Sequence, residues 1–268
     1  MGTDLERLVY LRIVRIFLVR HGQSRSNLDK SKHRKIADHA MPLSEEGIEQ
    51  AKKAGIFLCR FFHENKLYDD KLFHARLWVS PYLRTRQTAD FIEGEFRRMW
   101  LAPRTLLSQG DSSRWTDPKP GSWMEEPIFK FGRREHINLV EQQFGLFDGL
   151  RDEELPERYP DEHAHYKKCE DQEGKFWARM PLGESRFDLA VRVHQAFGTF
   201  KRDEEKHGIT NIVVVAHGAT LRAFTMQWLH YPYEWFEKEP NPGNCSIRLL
   251  EDDQDRGYIF EGFKSPRP

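Results

Sequence analysis

Short apolar runs alternate with longer amphipathic stretches along most of the chain. RIFLV (15–19), ARLWVS (75–80) and NIVVVA (211–216) are rich in β-branched and aromatic residues and too short for helices. Apolar residues at consecutive positions fit strands covered on both faces, as in a parallel sheet. Between them the spacing turns helical. Ser44 is a good N-cap, with Glu45 and Glu46 in the positive first turn, and Ile48, Ala51, Ile56, Leu58, Phe61 and Phe62 follow at helical intervals. Residues 84–100, 185–206 and 220–229 predict further helices, and Phe187, Val191, His194, Phe197 and Phe200 mark the expected apolar stripe of the second of these. CSIRLLED (245–252) predicts a late strand.

Residues 101–180 break this rhythm. They carry SSRWTDPKPGSW, many charges and aromatics, and no strand period before EHINLV (135–140). Irregular segments of this length are usually lids or binding elements. Trp115, Trp123, Phe129 and Phe131 are expected to anchor the excursion. The whole pattern predicts an α/β fold: a three-layer sandwich with a mainly parallel central sheet, helices on both faces, and an irregular insertion over the active-site edge. Residues 1–268 are expected to form a single domain, with 101–180 as its lid.

Composition narrows the field. Basic and acidic residues balance at 42 each, so no global charge argues for nucleic acid or an anionic membrane as partner. The apolar start of the chain is interrupted by Arg7, Arg12 and Arg15, which excludes the uninterrupted core of a secretory signal. Three scattered cysteines, Cys59, Cys169 and Cys245, make neither a disulfide framework nor a zinc motif. A soluble cytoplasmic protein is expected; the sequence leaves its oligomeric state open.

In a parallel α/β sheet, ligands sit beyond the carboxyl ends of the strands. His21 follows the first strand, Ser80–Arg84 the second and His217 the third, so parallel strands would bring all three loops to one rim. Arg20 and Arg84 offer forked donors suited to phosphate oxygens, and Gly22 and Gly218 allow close backbone approach. An imidazole kept neutral by neighbouring cations is a good nucleophile towards phosphorus. The leaving oxygen would then need a proton from a carboxylic acid.

Five segments, LVRHGQSRSN, SPYLRTRQTA, LVEQQFGLFDG, MPLGES and VVVAHGATLR, occur in the order found in the histidine phosphatase superfamily, and the chain resembles its phosphoglycerate mutase-like branch over residues 14 to 250. IADHAMPLSEEGIEQA and NPGNCSI resemble a phosphatase-type subgroup of that branch. The resemblance implies that His21 becomes phosphohistidine and that Arg20, Arg84 and His217, with Gly218, hold the phosphate. It also implies that Glu141 is the missing acid and that Asn27 and Arg179 line the substrate pocket, with Glu184 and Ser185 beside it. No metal and no cofactor is expected, and the partner is a small phosphorylated substrate.

The true mutases of the family carry Glu-Arg-His-Tyr-Gly at the acid, where this chain has Gln142 and Phe144. That departure favours a metal-independent phosphatase acting on phosphate monoesters. A 2,3-bisphosphoglycerate-dependent mutase is the alternative, and a non-catalytic phospho-ligand binder the third reading. Arg86 is expected on the helix surface and His163 and His165 on a solvated face rather than on a metal, while His33 and His39 stand in a basic loop near the presumed pocket, either simply exposed or touching an anionic substrate.

Overall fold

Each of the three apolar runs is buried on both faces, which is why none of them alternates. A computed structural model of the chain describes residues 14–67, 75–100 and 132–264. In chain order the elements are β1 (Arg15–Arg20), α1 (Arg25–Leu28), α2 (Glu45–Glu64), β2 (Ala75–Val79), α3 (Leu83–Trp100), β3 (Arg134–Glu135), α4 (Leu155–Arg158) and α5 (Pro160–Glu173). They continue with α6 (Arg186–His207), β4 (Asn211–Ala216), α7 (Gly218–Trp228), α8 (Tyr233–Lys238), β5 (Ile247–Glu251) and β6 (Gln254–Phe260).

The six strands form one sheet in the order β3-β2-β4-β1-β5-β6. β4 pairs in parallel with both β1 and β2, and β3 joins β2 in parallel. β5 and β6 run antiparallel at the other edge. The pleat sends Phe17, Val19, Leu77, Val79, Val213 and Val215 to one face, against Ala51, Ala54, Leu58 and Phe62 of α2 and Ala89, Ile92 and Phe96 of α3. Ile16, Leu18, Trp78, Ile212 and Val214 pack on the other face against α6 and α7. This is the expected three-layer sandwich. Each fully buried large apolar side chain stabilises it by about 1.5–3 kcal/mol.

Local rules explain the helix starts. Ser44 Oγ accepts a hydrogen bond from Gly47 N at 3.0 Å, and Ser185 forms a reciprocal capping box with Asp188 at the start of α6. α6 ends on Gly208 in the left-handed region, φ 63°.

Three expectations change. EHINLV is not a strand: pairing stops after Glu135, and Ile137–Leu139 forms a 3-10 turn with Asn138 N bonded to His136 Nδ1. The buried stripe of α6 is Leu189, Ala190, Val193, Ala196 and Phe200, whereas Phe187 and Val191 stand 44% and 42% exposed. Small residues let α6 approach the sheet closely, and Phe187 instead flanks Trp177, with ring centroids 5.0 Å apart. The sequence reading also omitted β6, which returns from β5 through Asp252 and Asp253, both at positive φ.

Within the insertion, Phe147, Leu155, Tyr166 and Ala178 build a small core of their own. The expected anchors Trp115, Trp123, Phe129 and Phe131 lie outside the described residues. Among the described residues, no helix is long and apolar enough to cross a membrane.

Candidate active site

The parallel strands β1, β4 and β2 end level with one another. His21 N donates to Ala216 O at 3.0 Å and Ser80 N to Val215 O at 3.0 Å, so His21, Ser80 and His217 meet on one rim. The His21 loop is pressed against the start of α2. A Cβ on Gly22 would come 2.4 Å from Gly47 O, and one on Gly47 would come 2.0 Å from Gln23 O. Only two glycines permit this contact. Gly22 N donates to Thr88 Oγ1 at 3.0 Å, which ties the loop to α3 as well.

The rings of His21 and His217 lie 5.3 Å apart, their planes at 63°. His21 Nδ1 donates to Gly22 O at 2.7 Å; because a carbonyl only accepts, the neutral ring keeps its proton there and leaves a lone pair on Nε2. Burial, then the charges of Arg84 and Arg20, holds the His21 pKa well below 6.5. His217 is lowered in the same way by burial, by Arg84, by His21 and by Arg20. Its Nε2 lies 2.8 Å from Ser80 Oγ, while its Nδ1 is buried with no partner. The Ser80 hydroxyl can donate to Nε2, and in that tautomer the His217 proton sits on the unpartnered Nδ1.

Two arginines complete the cradle. Arg20 is buried, bonds Pro242 O through Nη1 and leaves its buried Nε without a partner. Arg84 is 4% exposed and is held by Asp38 through Nη1 and Nη2. Gly218 opens α7 directly after His217, and a side chain there would meet Asn241 Oδ1 at 2.1 Å, so only glycine fits against Asn241.

Glu141 reaches the cluster from the insertion. Its Oε1 accepts from Gln142 N at 3.0 Å and lies 3.3 Å from Thr220 Oγ1, in the first turn of α7, whose hydroxyl donates to Val140 O at 2.8 Å. The Glu141 charge opposes the lowering of the Arg20 pKa by burial, so the two groups lie within electrostatic reach of each other. Arg192 fastens this segment: it donates to Asn138 O, Val140 O and Glu141 O and pairs with the Glu184 carboxylate at 2.8 Å.

His21, His217, Arg20, Arg84, Gly218 and Glu141 are therefore brought together. Asn27 stands behind them; its Oδ1 accepts from Ser24 N and from Asn244 Nδ2, which also donates to His21 O. Arg179 does not join the cluster through any described contact. It is an exposed partner of Asp188, 2.6 Å away, because the α6 capping box holds that carboxylate at the surface. Arg86 faces outward to Glu135. His165 meets only Cys169 of its own helix, at 3.6 Å, and among the described residues no three metal-ligating side chains converge. His33 is more enclosed than an exposed loop would leave it, packed on Gly149 and 3.8 Å from Asp38. Ser80, Asp38, Thr220 and Arg192 were not singled out from sequence. Ser80 was discoverable, since it directly follows β2 on the same rim.

Paired imidazoles between two buried arginines, at the carboxyl edge of a parallel α/β sheet, form a site suited to a phosphate-like oxyanion. The sequence profile of the histidine phosphatase superfamily (branch 1) matches residues 16–115 and 133–261, and the chain belongs to that superfamily. A phosphoglycerate mutase-like protein of Arabidopsis thaliana is 32% identical over 251 residues, 91% of this chain and 66% of that protein, so the chain spans just under two thirds of its length. The broad-range acid phosphatase of Saccharomyces cerevisiae is 25% identical over 302 residues, covering 89% of this chain and 85% of that protein. In fold, the chain is similar to the mycobacterial glucosyl-3-phosphoglycerate phosphatase, with a TM-score of 0.58, 19% identity, and coverage of 95% and 100% of the two chains.

Proposed function

We propose that this protein is a phosphatase that hydrolyses phosphate monoesters through a phosphohistidine at His21. The observation that carries the reading is the bond from His21 Nδ1 to Gly22 O, which leaves a neutral Nε2 on a ring that feels the charges of Arg84 and Arg20 and lies 5.3 Å from the ring of His217. In the first step the Nε2 lone pair forms the N–P bond as the ester P–O bond breaks, and Glu141, as the acid, gives its proton to the leaving oxygen. In the second step the Glu141 carboxylate takes a proton from water as that water attacks the phosphohistidine. The N–P bond breaks, phosphate leaves, and both groups return to their starting forms. The arginines, the His217 Nδ1–H and the α7 N-terminus meet the charge of the transferring group, so the chemistry calls for no metal.

The residues around Glu141 favour hydrolysis over mutase chemistry. Gln142 Nε2 is spent on Glu184 O, Gln143 Nε2 on the Tyr82 hydroxyl and on Glu141 O, and Phe144 begins a 3-10 turn. None of these side chains offers the cation that would hold a carboxylate for return transfer. The His21→Ala variant is expected to lose hydrolysis of a generic aryl phosphate while keeping its circular dichroism spectrum. Chelators should leave the wild type active and vanadate should inhibit it. Turnover by His21→Ala, or interconversion of 3- and 2-phosphoglycerate faster than phosphate release, would overturn the reading.

A further inference from the structure

Arg84 is gripped along one edge only. Its Nη1 donates to Asp38 O at 2.6 Å and to Asp38 Oδ1 at 2.9 Å, and its Nη2 donates to Asp38 Oδ2 at 3.2 Å. A guanidinium carries five N–H groups in one plane. Asp38 occupies both on Nη1 and one on Nη2. The two that remain, Nε–H and the second Nη2–H, are parallel neighbours on another edge, the spacing that accepts two oxygens of one phosphoryl group.

We propose that Asp38 is the positioning residue of this site: it takes the end of the Arg84 fork and thereby presents the side edge to the phosphoryl group. The proposal rests on the phosphatase reading above. Three bonds to one residue, one of them from a backbone carbonyl, stop the guanidinium from turning about its stem. The Tyr82 ring, whose centroid is 5.0 Å from Arg84 Cζ, limits its tilt. Asp38 is in turn enclosed by groups from two other stretches: His33 Nδ1 lies 3.8 Å from Oδ1, and Asp148, beside the Gly149 that receives His33, feels the charges of Asp38, His33 and Arg84. An ordinary ion pair tying a loop to α3 would need neither the backbone bond nor this alignment. Arg84 is also the largest charge influence on both His21 and His217, so its orientation bears directly on the reacting group.

The test compares Asp38→Ala, Asp38→Asn and Asp38→Glu with the wild type, each shown to be folded by circular dichroism. The readouts are calorimetric affinity for inorganic phosphate and the steady-state kinetics of an aryl phosphate. Loss of a charge-assisted bond predicts phosphate affinity weakened about ten- to hundredfold in Asp38→Ala, with KM raised more than kcat is lowered. Asp38→Asn, which keeps the backbone carbonyl and the side-chain shape, should fall between, and Asp38→Glu should recover part of the loss. Arg34→Ala breaks the exposed pair with Glu154 in the same loop, 2.6 Å across, and should bind phosphate like the wild type. Phosphate affinities within about twofold of wild type in both Asp38→Ala and Asp38→Asn would overturn the assignment, as would an equal loss in Arg34→Ala. A wild type that neither binds phosphate nor hydrolyses the ester would instead overturn the phosphatase reading itself.

Discussion

At the scale of single residues, burial and two arginines favour the neutral form of both imidazoles. They hold His21 and His217 well below 6.5, so His21, the proposed nucleophile, keeps its lone pair in mildly acidic solution. The acid limb of kcat/KM for an aryl phosphate should therefore lie clearly below pH 6.5; a limb at 6.5 would contradict the electrostatic account. Stability carries the matching sign. Between the folded and unfolded pKa values the unfolded chain binds more protons, so stability falls as pH is lowered through that window, by up to about 1.4 kcal/mol per pH unit for each histidine. Thermal unfolding across that range measures it. Arg20, His21, Arg84 and His217 were legible in sequence because each stands at or just past the end of an apolar run. Asp38 was not, because its contact with Arg84 spans 46 residues and depends on how a polar loop folds. Arg179 was placed by its nearness in sequence to MPLGES, and sequence alone does not reveal its ion pair with Asp188.

At the scale of elements, the His21 loop takes its shape from the junction with α2. Gly47 sits one turn after the Ser44 cap, where its missing side chain admits the Gln23 carbonyl. Gly47→Ala would force its Cβ to within 2.0 Å of that oxygen unless the loop or the helix moves. Such overpacking costs about 1–3 kcal/mol, and the displaced loop should lower kcat for the aryl phosphate as well. Denaturant midpoints and steady-state rates check both, and wild-type values in each would show that the contact does not shape the loop. Helix and strand periods located α2, α3, α6, α7 and the parallel strands β1, β2 and β4. They failed where burial is partial. The stripe expected for α6 shares Phe200 with the observed one but missed Leu189, Ala190, Val193 and Ala196, and β6 escaped notice because it reads as polar and is only half-buried along most of its length.

At the scale of the whole molecule, the sheet gathers groups that are far apart in the chain. β4 lies between β1 and β2, so His217 is carried to a place between His21 and Ser80. The insertion then supplies Glu141 from above, through a segment that Arg192 of α6 fastens in place. Alternation of strands and helices was enough to foresee the shared rim. It could not foresee how 132–180 would pack, since that stretch is held by a small core of its own, by Leu139 and Phe176 in the main core and by Arg192, not by a periodic face. The most direct test of the account is a rapid-quench reaction with an excess of aryl phosphate, followed by mass spectrometry of peptides kept at neutral to alkaline pH. The account predicts a single phosphoryl group on His21, acid-labile, formed at least as fast as turnover and absent from His21→Ala. Turnover with no labelled His21, or a phosphoryl group on another residue, would contradict it.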